Sequence, residues 1–67
     1  MRVEINGVPL EVPEAEVPLV ELMQRFGYPT EYVAVAINLE CVPRSQFNGT
    51  LVRENDRIEV LSPHQGG

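Results

Sequence analysis

The chain has 67 residues, a formal net charge of −5 and 43% hydrophobic residues. This composition is typical of one small globular domain and excludes an intrinsically disordered chain. A domain of about 60 residues buries only about 60% of the surface that its unfolded chain exposes, so little room remains for a deep catalytic cleft. The acidic charge argues against a nucleic-acid partner, because phosphate groups attract basic surfaces, and favours a protein partner instead.

The single cysteine, Cys41, cannot form a disulfide within the chain. One Cys and one His also leave no plausible zinc site. The first residues contain no apolar run typical of a signal peptide, and no stretch approaches the roughly 20 apolar residues that span a bilayer. We therefore expect a cytoplasmic protein that binds neither a metal nor a membrane.

The first twelve residues predict a β-hairpin. Residues 2–6 alternate polar and apolar side chains, and residues 8–12 repeat this period of two. The intervening pair Asn6-Gly7 is favoured in tight hairpin turns, because both turn positions need a positive φ angle.

A turn at residues 13–18 leads into a helix predicted over about residues 18–26. Pro18 suits the first helical position, where a backbone N–H has no partner to lose. Gly27 and Pro29 are typical of the residues that end a helix. The apolar side chains with helical spacing are Leu19, Leu22, Met23 and Phe26.

Three further strands are predicted, covering residues 33–38, Cys41-Val42 and residues 57–61. We expect residues 44–55 to form a long loop that Phe47 and Leu51 anchor on the core. A turn at residues 54–56 includes Asn55, which tolerates left-handed backbone geometry. Residues 62–67 have no apolar anchor and predict a flexible C-terminal tail.

This order of elements predicts an α+β fold, in which a mixed sheet of four or five strands covers one helix on one face and meets solvent on the other. The arrangement is the ubiquitin-like β-grasp architecture, with a domain over residues 1–61 and a tail over residues 62–67. A right-handed crossover would place the third or the last strand parallel to the first. The expected core consists of Val3, Ile5, Val8, Leu10, Val12, Leu19, Leu22, Met23, Phe26, Val33, Val35, Ile37, Val42, Ile58 and Val60.

No catalytic constellation is predicted: nothing orients Ser45 against His64, and Cys41 is interpreted as an ordinary strand residue. The distinctive feature is Gly66-Gly67 after the last strand. A tail without side chains can thread a narrow channel and bring the Gly67 carboxylate to a nucleotide in another enzyme. Adenylation would turn that carboxylate into a good electrophile, and the chain contains no lysine whose amine could compete for it.

Five segments together resemble the ThiS family, the sulfur carrier proteins of thiamine biosynthesis. They are Asn6-Gly7, Val33-Ala-Val-Ala-Ile-Asn38, Val42-Pro-Arg-Ser45, Asp56-Arg-Ile-Glu-Val60 and Gly66-Gly67. The resemblance extends over almost the whole chain, and Val-Pro-Arg-Ser is its most specific internal element. Leu39 and Asn55 depart from the family, which usually has glycine at both turns.

The resemblance implies a carrier rather than an enzyme, with no bound cofactor and no catalytic residue. A ThiF-type, E1-like adenylyltransferase that uses ATP would activate Gly67, while Gly66 would help the tail thread its channel. A sulfur donor such as a cysteine desulfurase would supply sulfur for a thiocarboxylate. A ThiG-type thiazole synthase would then receive the sulfur. Arg44 and Ser45 are expected to define the geometry of their loop.

A docking face for the partner is also predicted. If Val33, Val35 and Ile37 face the helix, strand alternation places Ala34 and Ala36 on the open face of the sheet. The same alternation places Arg57, Glu59 and Leu61 there. This flat, partly apolar surface close to the tail would suit a partner enzyme.

Four other functions are compatible with the same features. The first three are carriers or modifiers of the same fold: the small subunit of molybdopterin synthase, a carrier for tRNA thiolation and a ubiquitin-like protein modifier. The fourth is a purely structural β-grasp interaction module.

Overall fold

The computed structural model describes residues 1–62. In chain order the elements are β1 (Arg2–Ile5), β2 (Val8–Glu11), β3 (Glu16–Pro18), helix α1 (Leu19–Arg25), β4 (Ala34–Ile37), β5 (Glu40–Val42), a 3₁₀ helix (Arg44–Gln46), β6 (Leu51–Arg53) and β7 (Arg57–Leu61). Within residues 1–62, no helix is long and apolar enough to cross a bilayer.

The main sheet has five strands in the order β2-β1-β7-β4-β5. The central strand β7 is parallel to β1 and antiparallel to β4, and the two outer pairs are antiparallel. The sequence analysis predicted that either the third or the last strand lies parallel to the first, and the structure shows that it is the last strand. With α1, this mixed sheet forms the ubiquitin-like β-grasp fold that the sequence predicted.

In the described part of the chain, the core comprises twelve buried hydrophobic residues, namely Val3, Ile5, Val12, Val17, Leu19, Leu22, Met23, Val35, Phe47, Val52, Ile58 and Val60. Five other residues of the predicted core, namely Leu10, Phe26, Val33, Ile37 and Val42, pack half-buried against them. The prediction for Val8 was wrong, because its side chain is 51% exposed. Val8 pairs with Ile5 next to the hairpin turn. Because β2 is an edge strand, Val8 has a neighbouring strand on one side and solvent on the other.

A second, two-stranded sheet was missed by the sequence analysis. Strands β3 and β6 pair antiparallel with Val17 opposite Val52, and both valines are buried. Three-residue strands beside prolines and a loop are too short to show a period of two. Phe47 is buried as expected, but Leu51 is 39% exposed because it alternates with Val52 along β6 and points outward.

The helix is slightly shorter than predicted. Pro18 is the last residue of β3 and occupies the N-cap position of α1, so it does not belong to the first turn of the helix. Phe26 occupies the C-cap position at the other end. Gly27 follows with φ +80°, which is the left-handed geometry expected of a glycine that ends a helix.

An ion-pair network ties the segment before β3 to the last turn of α1. Arg25 donates hydrogen bonds to both carboxylate oxygens of Glu14, at 2.8 and 2.7 Å, and a third to Glu21 at 2.8 Å. The hydrogen bond from Arg25 is the main reason that the pKa of Glu14 is lowered to about 2. The pair of Glu14 with Arg25 therefore stays ionised well into the acid range, and it links the proline-rich segment to the last turn of α1.

The turn between β4 and β5 contains a leucine in a conformation that favours glycine. Asn38 and Leu39 have φ angles of 52° and 69°, as a two-residue hairpin turn requires. Leu39 is 90% exposed, so no packing offsets the steric cost of its left-handed backbone. Asn55 has φ 69° as well. Both departures from the family's usual glycine therefore stand where the backbone is left-handed.

Replacing Leu39 with glycine is expected to stabilise the protein. The substitution removes a steric cost of about 1–2 kcal/mol, of which the greater freedom of glycine in the unfolded chain offsets a part. We expect the free energy of unfolding to rise by about 0.5–1 kcal/mol and the melting temperature by about 2–8 °C. The control is Leu39→Ala, which removes the side chain but keeps the backbone cost. An equal gain from both variants would contradict this explanation.

Candidate functional site

The candidate site is the open face of the main sheet beside the end of β7. Along β7, Ile58 and Val60 point into the core, while Arg57, Glu59 and Leu61 are exposed on the opposite face. Leu61 is 67% exposed although it is large and apolar. The parity predicted for this strand is thus confirmed, and Leu61 lies one residue before the predicted tail.

The residues predicted for partner docking lie next to one another on this face. Ala34 of β4 is directly opposite Leu61, and Ala36 is opposite Glu59. These four residues line a shallow depression of about 250 Å³. Ala34 is exposed and Ala36 half-buried, so within residues 1–62 no other element covers the alanines. Their short side chains leave a flat floor, with Leu61 as an apolar contact and Glu59 as a charge at the rim.

Cys41 also belongs to this face, which the sequence analysis did not predict. It is exposed, lies opposite Ala36 in the pairing of β4 with β5 and contributes to the same depression. Which face Cys41 lies on depends on the register between β4 and β5 across their tight turn. The only sequence signal for this face was the alternation of side chains within β5, which has three residues.

The Cys41→Ser variant is expected to retain the sulfur transfer that the family resemblance implies, because that chemistry would hold the sulfur on the terminal carbonyl carbon rather than on this thiol. Its rate of thiocarboxylate formation should stay within about twofold of wild type, since an exposed substitution of similar size perturbs packing little. The test measures adenylation and sulfur gain separately by intact mass. A variant that is adenylated normally yet gains no sulfur would establish a persulfide relay through Cys41 and contradict the prediction.

Arg44 of the Val-Pro-Arg-Ser segment begins the 3₁₀ helix and lies over an aromatic ring. Its guanidinium carbon is 5.5 Å from the centre of the Tyr32 ring, within the range of a cation–π contact. Tyr32 has φ 58° and lies in the loop before β4. The contact therefore links the loop that precedes β4 to the 3₁₀ helix that follows β5. No sequence pattern indicated that Tyr32 makes this contact.

Several residues singled out from the sequence lie outside the part of the chain that the structure describes. These are Gly66, Gly67 and His64. Ser45 is exposed in the 3₁₀ helix. The roles proposed for Gly66 and Gly67 stay predictions. Ala34, Ala36 and Leu61, which the sequence predicted for docking, have a defined position in the structure, and their role in docking also stays a prediction.

The five-stranded mixed sheet on one helix defines the class of the molecule as a ubiquitin-like β-grasp protein. Comparison with known proteins identifies the family, since residues 3–67 match the model of the ThiS family. The chain belongs to the ThiS family, and this membership supports a sulfur-carrier role.

Solved structures of one relative are similar over the full chain. A crystal structure of the thiamine biosynthesis protein ThiS from Geobacter metallireducens has a TM-score of 0.84 and 32% sequence identity, with 100% of both chains covered. A solution NMR structure of a thiamine biosynthesis protein from the same organism has a TM-score of 0.77 and 33% identity, covering 100% of this chain and 88% of the other.

Two sequence relatives extend the comparison. A thiazole synthase of Magnetococcus marinus is 34% identical over 67 residues, which are 100% of this chain but only 20% of that protein. An uncharacterised protein of Porphyra purpurea called ycf40 is 28% identical over 67 residues, covering 100% of this chain and 93% of that protein.

Proposed function

We propose that this protein carries sulfur for thiamine biosynthesis as a thiocarboxylate on Gly67. The observation that carries the proposal is the match to the ThiS family over residues 3–67. The similarity to a ThiS protein of known structure over the whole of both chains supports it. The protein is then a co-substrate of other enzymes rather than an enzyme itself.

The chemistry begins with a carboxylate, which is a poor electrophile. A carboxylate oxygen of Gly67 attacks the α-phosphorus of ATP in an E1-like adenylyltransferase of the ThiF type, and pyrophosphate leaves. The outer sulfur of a persulfide on a donor such as a cysteine desulfurase then attacks the carbonyl carbon, and AMP leaves. The resulting acyl disulfide is cleaved by a thiol, which is itself oxidised to a disulfide with the donor's sulfur and leaves the thiocarboxylate on Gly67. Because the partner enzyme binds the ATP, the carrier needs no cofactor of its own.

The adenylyltransferase would bind the open face of the sheet while the tail enters its active site. Leu61 and Ala34 supply the apolar contact, and Arg57 and Glu59 are exposed on the same face. Interfaces of this type combine a desolvated apolar centre with a polar rim. The face lies directly beside the start of the tail, so docking there would deliver residues 62–67 to the reaction centre.

The receiver of the sulfur is proposed to be a thiazole synthase of the ThiG type. The similarity of the whole chain to a fifth of a protein named thiazole synthase supports a functional link between the two. Delivery to this enzyme would place the sulfur in the thiazole ring of thiamine.

Intact-mass analysis tests the proposal directly. The protein is incubated with a ThiF-type adenylyltransferase, ATP, a sulfur donor and a thiol reductant, and then with a thiazole synthase. We expect an adenylyl adduct, followed by a product in which one oxygen is replaced by sulfur, and loss of that sulfur to the synthase. A thiocarboxylate that only molybdopterin synthase or a tRNA-thiolating enzyme accepts, or an amide link to other proteins, would contradict the thiamine assignment.

A further inference from the structure

The central strand β7 loses a neighbour before it ends. The parallel pairing with β1 extends only over Glu4 with Arg57 and Ile5 with Ile58. The last backbone hydrogen bond of this pairing runs from the Asn6 N–H to the Ile58 carbonyl at 2.9 Å. Beyond this point β1 turns away into the hairpin, whereas β7 continues to Leu61.

The side chain of Asn6 takes the place of the missing strand. Its Oδ1 accepts a hydrogen bond from the Val60 N–H at 2.8 Å, and its Nδ2 donates to the Val60 carbonyl at 3.2 Å. One carboxamide thereby satisfies both backbone groups of a residue 54 positions away. On its other side, Val60 pairs with Val35 of β4. The left-handed backbone of Asn6, with φ 51°, belongs to the turn that takes the chain from β1 to β2.

We propose that Asn6 is a positioning residue for acyl transfer, which keeps the end of β7 extended and thereby sets the direction in which the tail leaves the domain. This inference rests on the proposed function of Gly67. Because Val60 and Leu61 are the last two residues of β7, the hydrogen bonds from Asn6 fix the point and the direction from which residues 62–67 must reach the partner's active site, a span of about 20 Å at full extension. A misplacement of about 1 Å at a reacting atom can lower a rate about 100-fold.

Asn38 provides a matched control within the same chain. It also has a left-handed backbone, with φ 52°, and its side chain also makes two hydrogen bonds. Its Oδ1 accepts from the Arg57 N–H at 3.0 Å, and its Nδ2 donates to Asp56 at 3.0 Å. Asn38 therefore holds the beginning of β7, at the end opposite to the tail.

The test compares Asn6→Gly with Asn38→Gly in the full-length chain. Glycine is chosen because it adopts positive φ without strain, so each variant removes a carboxamide and leaves the turn intact. Amide hydrogen exchange should become faster at Val60 in the first variant and at Arg57 in the second. We expect Asn6→Gly to lower kcat for adenylation about tenfold, because Leu61 stays paired with Ala34 of β4 and preserves docking, while the start of the tail is no longer fixed from the β1 side. KM for the carrier should stay within about twofold in both variants, and kcat should do so in Asn38→Gly.

Equal kcat values for the two variants, with faster exchange at Val60 in Asn6→Gly, would overturn the inference. So would a rise in KM without a fall in kcat, which would indicate a docking role for Asn6. Thermal unfolding of both variants identifies any loss due to global destabilisation, and rates are compared well below both melting temperatures. If the wild-type protein itself is not adenylated, the proposed function fails, and that outcome differs from equality between the variants.

Discussion

Deletion of Gly67 is expected to abolish thiocarboxylate formation while leaving the fold and its stability unchanged. The new terminal carboxylate, on Gly66, would fall short of the reaction centre by about 3.3 Å, the length of one extended residue. A shift of this size exceeds the roughly 1 Å that already costs about 100-fold in rate. The fold should survive because, within residues 1–62, the buried core residues all lie between Val3 and Val60.

The measurement is intact mass after incubation with the adenylyltransferase, ATP and the sulfur donor, with thermal unfolding measured in parallel. Gly66→Trp keeps the terminal carboxylate but adds a side chain that a narrow channel cannot pass, so it should also react poorly. Gly66→Ala is the matched control and should retain much more activity than Gly66→Trp. Normal thiazole formation by the truncated protein would refute the carrier function, and loss of folding would show that the tail supports the core.

Charged substitutions on the open sheet face are expected to produce the second largest effect. Ala34→Arg and Leu61→Glu alter two residues that lie directly opposite each other, at the apolar centre of the proposed docking face. Burying an unpaired charge in an interface is costly, and central apolar contacts carry most of the binding energy. Each variant should raise KM for the carrier in adenylation about tenfold or more, with kcat little changed.

Val8→Glu is the matched control for Leu61→Glu. Val8 is 51% exposed and apolar, but it lies on the edge strand β2, which β1 separates from β7 and which is on the other side of β7 from β4. The control should therefore adenylate normally. If both face variants react at the wild-type rate when enzyme is limiting, the partner binds elsewhere, and the tail alone is recognised. Together with Asn6→Gly, these variants distinguish two effects. Loss of docking raises KM for the carrier, whereas loss of tail positioning lowers kcat.

Much of the main sheet could be predicted because its signals are local. The Asn6-Gly7 turn, the alternation along β1 and β7 and the apolar face of α1 each follow from a few neighbouring residues. The small sheet could not be predicted in this way. Val17 and Val52 are buried because they pair with each other although they are 35 positions apart in the chain, and the strands that carry them have only three residues each.

The candidate site was predictable in part for the same reason. Alternation within β4 and β7 correctly assigned Ala34 and Leu61 to the open face. It did not show that Cys41 completes that face, nor that Tyr32 lies under Arg44. The position of Cys41 depends on the register between two strands, and the contact of Tyr32 with Arg44 depends on two loops that lie close together in the fold. Neither can be read from residues that are adjacent in sequence.

By itself, the sequence determined that this is a small β-grasp protein resembling the ThiS carriers, because turn residues, strand alternation and helix periodicity act over a few positions. Only the tertiary structure decided what holds the end of β7. Asn6 reads in the sequence as half of a hairpin turn, yet its side chain bonds both backbone groups of Val60. That second role exists only after β7 has been placed beside β1, because a carboxamide can replace a strand only where folding has brought an unpaired backbone within hydrogen-bond distance.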